Sequence, residues 1–342
     1  MKSSNSRKTK SGLFILAGFG VIVVSFFTLI FFWWRGASSS PAKSDESVRF
    51  VITKGSGASQ IAANLEEENL IKSSLAFKFY VQLIGKSDKI LAGEYSLSSN
   101  LELKEIVEVL LRGPEEIWIT IPEGLRKEEV AAKLASGLGL EGEAYQLFVN
   151  DFYNESSNLE GKLFPDTYLF AKDITVQKAV AHMNQVFETK FAQALSEKNT
   201  YLSNAEILVL ASLIEREAFG LEERPVIAGI LINRLDADWP LQVDATLQYQ
   251  EGIKKCSIDK PKCDWWPTVT KQSIDTPSSF NTYKNLGLPP TPISNPGLTS
   301  LKAAANPQKS DYWFYLHDSN GEIHYAETIE IHNANVAEYL GK

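Results

Sequence analysis

The sequence predicts an α+β protein. One N-terminal apolar helix leads through small α/β modules into a mixed α+β domain built around a buried, glutamate-bearing helix. Three observations predict it. Residues 12–34 are a single uncharged apolar run. Residues 50–65 and 119–134 align without gaps, each reading as strand, glycine turn and amphipathic helix. Leu202 to Gly220 is almost wholly apolar at helical length, yet carries two carboxylates, Glu215 and Glu217, near its end. The 342 residues suffice for two or three domains and a tail, and 44% apolar content supplies an ordinary core. A net charge of −8, with the only basic cluster at the extreme N-terminus, excludes a nucleic-acid binder. His317, His324 and His332 show no metal-ligand spacing, so surface histidines, no metal and no cofactor are expected.

The apolar run is long enough to cross a ~30 Å hydrocarbon core as a helix, and Trp33 and Trp34 suit the membrane interface. Lys2, Arg7, Lys8 and Lys10 precede it, which places residues 1–11 in the cytoplasm as a short tail and the remainder outside the cell membrane. The run is longer than the apolar core of a cleaved signal peptide, the rival reading with Ala37 at the cleavage site. Residues 35–47, rich in Ser and Ala, read as a linker. In an oxidising exterior, Cys256 and Cys263 suit a disulfide stapling a surface loop.

Residues 48–115 form the first module. Phe50 begins a strand and Gly55 a turn, helices follow to Leu65 and over Leu75–Ile84, then a strand over Gly93–Leu97 and a helix over Leu103–Leu111. Strand, two helices, strand resembles the LysM module, which binds N-acetylglucosamine-containing glycans. Residues 116–200 hold the second copy, with Gly124 at Gly55 and Val130-Ala-Ala-Lys-Leu134 at Ile61-Ala-Ala-Asn-Leu65, and connecting helices. Leu163 to Phe170 is aromatic around a Pro-Asp-Thr turn, suited to core packing or to a sugar-stacking wall. A long helix over Val176–Glu197 follows.

The third region, 201–342, opens on the glutamate helix. Ser203 with Glu206 is a capping box, and Gly220 is expected to close the helix in the left-handed conformation. At about 100° per residue, Glu215 shares a face with Ile207, Leu208 and Ala211, and Glu217 one with Leu210 and Leu213. The only polar strip belongs to Ser212 and Arg216. Burial raises a carboxyl pKa, and a carboxylic acid still protonated near neutrality is what a general acid requires. The alternative is a pair of solvated last-turn glutamates, and the helical pattern leaves Glu215 and Glu217 as equals. Next come a helix over Arg224–Leu235, a Leu241–Thr246 segment and loop, a hairpin of Tyr312–His317 and Glu322–Ala326 across Asp318–Gly321, and a helix over Asn333–Tyr339.

Six segments together resemble the endolytic murein transglycosylases of the YceG-like family. They are Leu210-Ala-Ser-Leu-Ile-Glu-Arg-Glu217, Ile232-Asn-Arg-Leu235, Leu241-Gln-Val-Asp-Ala-Thr246, Phe280-Asn-Thr-Tyr283, Gly287-Leu-Pro-Pro290 and Ser300-Leu-Lys-Ala-Ala-Ala305. The departures are a longer Cys256–Trp266 segment and Ala245 where the family motif has Pro. The resemblance implies that 201–342 is the catalytic domain, that Glu215 is catalytic, and that Gln242, Asp244, Thr246, Asn281 and Tyr283 serve the substrate cleft. Glu217 is then a supporting residue, paired with an arginine such as Arg234. The implied reaction cuts the β-1,4 bond after N-acetylmuramic acid in nascent peptidoglycan strands, without water, and leaves 1,6-anhydro ends. The implied partners are glycan strands, the membrane and peptidoglycan synthases. Two alternatives stay open: a hydrolytic muramidase using Asp244 as second carboxylate, and a non-catalytic, membrane-tethered glycan-binding scaffold. No Gly-x-Ser-x-Gly elbow supports a serine hydrolase.

Overall fold

The structure, a computed structural model, describes residues 22, 24–43, 46–258 and 263–341. The chain forms two compact units, Met1–Trp118 and Ile119–Lys342. Among the described residues no helix is long and apolar enough to cross a membrane. Nearly half of the predicted span, residues 12–21 and Val23, lies outside them; 24–38 are helical (α1) and cover its C-terminal part.

In the first unit, β1 (Ser47–Ile52) pairs antiparallel along its whole length with β2 (Gly93–Ser98), and α2 (Ala58–Glu67) and α3 (Ser74–Leu83) lie between them in sequence. The strand–helix–helix–strand order matches the sequence expectation, and α4 (Leu103–Arg112) follows. One face of each helix closes the core: Ile61 and Leu65 of α2, Phe77 and Val81 of α3, and Ile106 and Leu110 of α4 meet Phe50 and Tyr95 of the strands.

Strand β3 (Glu116–Thr120) crosses the boundary between the units. Its first residue pairs with Glu94 of β2. Beyond its other end the Ile121 N–H donates to the Asp166 carbonyl beside β4 (Thr167–Ala171). The internal repeat holds in three dimensions. The turn glycines Gly55 and Gly124 both have positive φ, 90° and 76°, which a side chain would resist. The aligned Ile61, Ala62 and Leu65, and Val130, Ala131 and Leu134, are all buried. In the second copy the helix is α5 (Lys127–Gly137), followed by α6 (Gly142–Glu155). Leu163, Phe164, Tyr168 and Phe170 are buried, and the Tyr168 hydroxyl donates to the Phe164 carbonyl. The aromatic stretch is therefore core, not a sugar-facing wall.

The second unit runs on without a division at residue 200. Helix α7 (Val176–Leu195) leads to α8 (Asn204–Glu217), which packs against α9 (Arg224–Asp236), α10 (Asp244–Lys255) and α12 (Leu298–Ala305); α12 also packs on α7 and α9. A short α11 (Lys271–Asp275) precedes α12, and β5 (Phe314–His317), β6 (Ile323–Ala326) and α13 (Ile329–Leu340) end the chain. Helix α8 starts as expected: the Ser203 hydroxyl accepts from the Glu206 N–H, and the Glu206 carboxylate accepts from the Ser203 N–H. Its end differs. The cap residue is Ala218 in extended conformation, and Gly220 has no left-handed φ. The Gly220 N–H is turned instead onto the Glu223 carboxylate. The stretch after Thr246, expected as loop, is also partly helical, since α10 runs from Asp244 to Lys255 and α11 follows.

Candidate active site

Two residues apart on a helix means nearly opposite faces, so Glu215 and Glu217 leave α8 in different directions. The structure surrounds them differently. The Glu215 side chain is only 4% exposed and meets two groups. Its Oε2 accepts from the Gly297 N–H at 2.9 Å, at the N-terminus of α12. Its Oε1 lies 3.2 Å from Nη2 of Arg224, which stands in the first turn of α9. The same Nη2 is 3.8 Å from Oε2 of Glu123, a half-exposed carboxylate in the turn after β3. Arg224 also donates to the Thr299 hydroxyl. One guanidinium thus holds two carboxylates, one sunk and one open to solvent.

The loop that brings Gly297 here is fastened to α8 by the residue that looked like a solvent strip. Ser212 is fully buried; its hydroxyl accepts from the Ile293 N–H, and its carbonyl accepts from the Ser294 hydroxyl. Asn295 then ties this loop to the Glu123 turn: its N–H and side-chain amide both donate to the Leu125 carbonyl, and its own carbonyl accepts from the Gly124 N–H. A Cβ at Gly297 would run into the Glu123 carboxyl group and force that side chain to move.

The electrostatics of Glu215 pull in opposite directions. Burial raises its pKa above the ordinary carboxyl value, and the Glu123 charge adds to this. The Gly297 N–H and the Arg224 charge lower it, without overcoming burial. The net direction favours the protonated form a general acid needs, while the two donors stand ready to stabilise the carboxylate it leaves.

Glu217 has other company. Its Oε2 accepts from the Tyr315 hydroxyl at 2.8 Å. Burial raises its pKa, the Tyr315 bond opposes this, and the Asp244 charge reinforces it. The expected pairing with Arg234 does not form. Arg234 spends its N–H groups on the carbonyls of Trp313 and Leu241.

Of the residues expected at the cleft, Asp244 and Tyr283 come together, the tyrosine hydroxyl donating to the carboxylate at 2.6 Å. They belong to the Glu217 neighbourhood rather than to Glu215. Gln242 is exposed at a positive φ of 51°, its N–H given to the Thr282 carbonyl. Thr246 and Asn281 are buried, contrary to the expectation that they face substrate. The Thr246 hydroxyl donates to the Val243 carbonyl. The Asn281 amide donates to the Ile274 and Thr276 carbonyls while its oxygen accepts from the Tyr283 N–H. Both hold the loop that presents Tyr283.

Cys256 and Cys263 are joined in a disulfide. The segment it staples sets Trp266 beneath Arg216, whose guanidinium carbon is 3.8 Å from the ring centroid. The histidines are engaged rather than free at the surface: His317 bonds Glu223, His324 stacks on Tyr339 and His332 on Phe314. Among the described residues, Asp318, Glu322 and His324 bring ligand atoms within 4.8 Å of one another, but the Asp318 carboxylate already accepts from the N–H groups of Asn320 and Glu322 to hold the β5–β6 turn.

Sequence reasoning missed Glu123, Arg224 and the Gly297 N–H. A signal existed for the first. The two copies of the repeat differ just before the turn glycine, Lys54 in one and Glu123 in the other. Arg224 offered only a helix start before Pro225.

Comparison with known proteins adds four findings. A model of the YceG-like family matches residues 50–338. A protein of Bacillus subtilis (strain 168) named endolytic murein transglycosylase is 32% identical over 324 residues, which cover 87% of this chain and 86% of that protein. A protein of the same name from Streptococcus pneumoniae serotype 2 (strain D39 / NCTC 7466) is 30% identical over 334 residues, covering 87% of this chain but 59% of its own length. The crystal structure of a YceG-like protein from Listeria monocytogenes is similar with a TM-score of 0.52 and 29% identity, over 85% of this chain and 99% of that one.

Proposed function

This chain belongs to the YceG-like family, and from that premise we propose that it is a peptidoglycan-cleaving lytic transglycosylase with Glu215 as its acid and base. In the finer form of the reading, it acts on the β-1,4 bond between N-acetylmuramic acid and N-acetylglucosamine. Glu215, protonated, gives its proton to the glycosidic oxygen as that bond breaks through an oxocarbenium-like state. The carboxylate so formed takes the proton of the muramyl C6 hydroxyl, whose oxygen attacks C1 and closes the 1,6-anhydro ring. The proton count closes on Glu215, and no water enters.

The observation that carries this reading is the setting of Glu215: sunk enough to be protonated, yet provided with the Gly297 N–H and Arg224 to stabilise the carboxylate once the proton has gone. Glu123 adds a negative charge at the open side, where an oxocarbenium ion would develop. The hydrolytic alternative gains one point of support from the same carboxylate. Asp244 is committed to Tyr283, whereas Glu123 and Glu215 are joined through one nitrogen of Arg224, nearer together than the roughly 9.5 Å outer limit for a carboxyl pair that activates water.

The rest of the proposal places the chain in the cell. Residues 12–34 would be an uncleaved anchor with residues 1–11 inside, the linker 35–47 and everything beyond on the extracytoplasmic side, the LysM-like module at 48–115 would hold glycan, and cleavage beside the synthases would end strand elongation.

Mass spectrometry of products from purified, uncross-linked glycan strands and the full chain in detergent tests the reaction. Ends carrying 1,6-anhydromuramic acid, absent with Glu215→Gln, are the expected result. Reducing muramic ends would make water the acceptor and Glu123 its base. No cleavage at any strand length would favour the glycan-binding scaffold.

The pH profile tests the electrostatics. Glu123 raises the Glu215 pKa and Arg224 lowers it. Glu123→Gln should therefore move the alkaline limb of kcat/KM, where the acid is lost, to lower pH. Arg224→Gln should move it to higher pH, alongside a drop in rate. Shifts in the same direction for both variants would mean that neither side chain acts on Glu215 through its charge.

A further inference from the structure

Helix α3 leaves one stripe of its surface without a partner. Leu75, Phe79 and Leu83, at positions i, i+4 and i+8, are 61%, 54% and 69% exposed, while Phe77 and Val81 on the opposite face are in the core. Three large apolar side chains in a row at this exposure, on so small a module, mark an interaction surface.

The structure shows what lies next to the stripe. Trp34, the last residue of the apolar run, packs on α3, with ring centroids 6.1 Å from Phe79 and 6.0 Å from Tyr80. The end of α1 is tied down twice more: the Lys72 ammonium donates to the Ser39 hydroxyl at 2.8 Å, and the Ala42 N–H donates to the Ser99 carbonyl at 3.0 Å. Ala37 also packs against the core of the module. Ser39 and Ala42, in the stretch expected as a linker, are therefore bound to the module. The stripe is continuous, through Trp34, with the exposed apolar surface of α1, where Phe27, Phe31 and Phe32 face outward.

We propose that the Leu75–Phe79–Leu83 face of α3 lies in the surface of the lipid bilayer that holds the anchor, so that the first module is a membrane-seated base rather than a domain on a free tether. The proposal rests on residues 12–34 being the anchor. If they are, Trp34 sits at interface depth, because tryptophan at the end of a spanning helix favours the headgroup boundary. Phe79, in ring contact with Trp34, sits at the same depth. The stripe enters the acyl boundary as the apolar face of an interfacial helix does, and Lys78 on α3 and Lys86 just after it supply cations for the headgroups.

The test uses the full chain reconstituted in vesicles of phosphatidylethanolamine and phosphatidylglycerol that contain lipids spin-labelled at shallow or deep acyl positions. Single cysteine variants carry an environment-sensitive fluorophore; Cys256 and Cys263 are bonded to each other and do not take the label. The label at Leu83→Cys should be quenched severalfold more by shallow spin-labelled lipid than the label at Ser59→Cys, an exposed position on α2. The label at Phe27→Cys should be quenched by the deep lipid. If Phe27→Cys is quenched while Leu83→Cys is no more quenched than Ser59→Cys, the anchor stands and the proposal is overturned. If the Phe27→Cys label escapes every quencher, the anchor reading fails and takes the proposal with it.

Discussion

Replacing Glu215 with glutamine should abolish the release of anhydro ends and, at neutral pH, raise the unfolding temperature. The first effect follows from the double duty of one group. A general acid or base contributes roughly 10²- to 10⁴-fold, and in the proposed reaction both steps pass through one carboxyl, so the loss should reach at least the upper end of that range. The second effect follows from linkage. The folded-state pKa of Glu215 is raised, by burial first and then by Glu123, even with Arg224 and the Gly297 N–H opposing. A carboxyl whose folded pKa exceeds its unfolded value contributes its full stability below the unfolded value. That contribution is lost as pH rises through the folded pKa. Glutamine keeps the shape of the protonated acid and has no such loss. The gain at neutral pH should be on the order of 1 kcal/mol, the usual size when a functional group held under strain is replaced. Thermal unfolding of both proteins from mild acid to neutral pH checks it: the two curves should lie together in acid and separate as pH rises. A variant less stable than the parent at neutral pH would mean that the Arg224 pairing outweighs burial.

Arg126→Ala should cost about 3–5 kcal/mol, the range for removing one partner of a buried ion pair. Arg126 is fully buried at the start of α5. Its Nε is 3.2 Å from Glu128, its Nη1 donates to the Tyr249 carbonyl at 3.0 Å, and its guanidinium carbon lies 4.0 Å from the Tyr249 ring centroid and 4.8 Å from that of Trp265. Alanine would leave a hole under two aromatic rings and, more costly, the Glu128 carboxylate without its cation. Glu128 is nearly buried, and Glu160 is already pushed up by burial and by Glu128, with Arg126 the largest opposing charge. The loss should fall on the second unit alone. Urea unfolding followed separately through a fluorophore in each unit should show the Met1–Trp118 transition unmoved. A cost below about 1 kcal/mol would mean that the rings and carboxylates rearrange around the gap, as some sites do when they can collapse.

What the sequence revealed and what it hid have a common physical basis. Local signals read well because they depend on neighbours along the chain. The Ser203–Glu206 box, the Asp318–Gly321 turn and the paired glycines of the repeat each need only a few residues to specify their backbone. Helix α10 escaped because Asp244–Lys255 begins inside a motif given no secondary structure and carries polar residues through its middle. The Gly220 expectation failed for a related reason: the chain leaves α8 by an extended Ala218, and the N–H of Gly220 is satisfied by Glu223, a side chain three residues on.

The site was legible only in part. The pattern of α8 raised a buried carboxyl at its end as one reading, beside a pair of solvated glutamates. Its partners could not, because Glu123, Arg224 and Gly297 arrive from three segments that periodicity does not connect. Ser212 shows the limit most plainly. On a helical projection a serine beside an arginine looks like solvent-facing polarity, yet Ser212 is the latch for the Ile293–Gly297 loop. Asn281 and Thr246 erred in the opposite direction, since residue types fit to bind sugar are equally fit to hold a loop, and here their hydrogen bonds are spent internally.

The shared guanidinium has a pharmacological consequence. With Glu215 ionised, two carboxylates face one cation, and the recess carries surplus negative charge that only a positively charged guest can neutralise. In the proposed reaction, an iminosugar whose protonated ring nitrogen replaces the reacting sugar carbon meets that charge from the side of Glu123, the more exposed carboxylate. Its affinity would rise as Glu215 loses its proton and fall again once the amine does. Inhibitors for such a pocket are better ranked by amine basicity than by the number of sugar rings they carry.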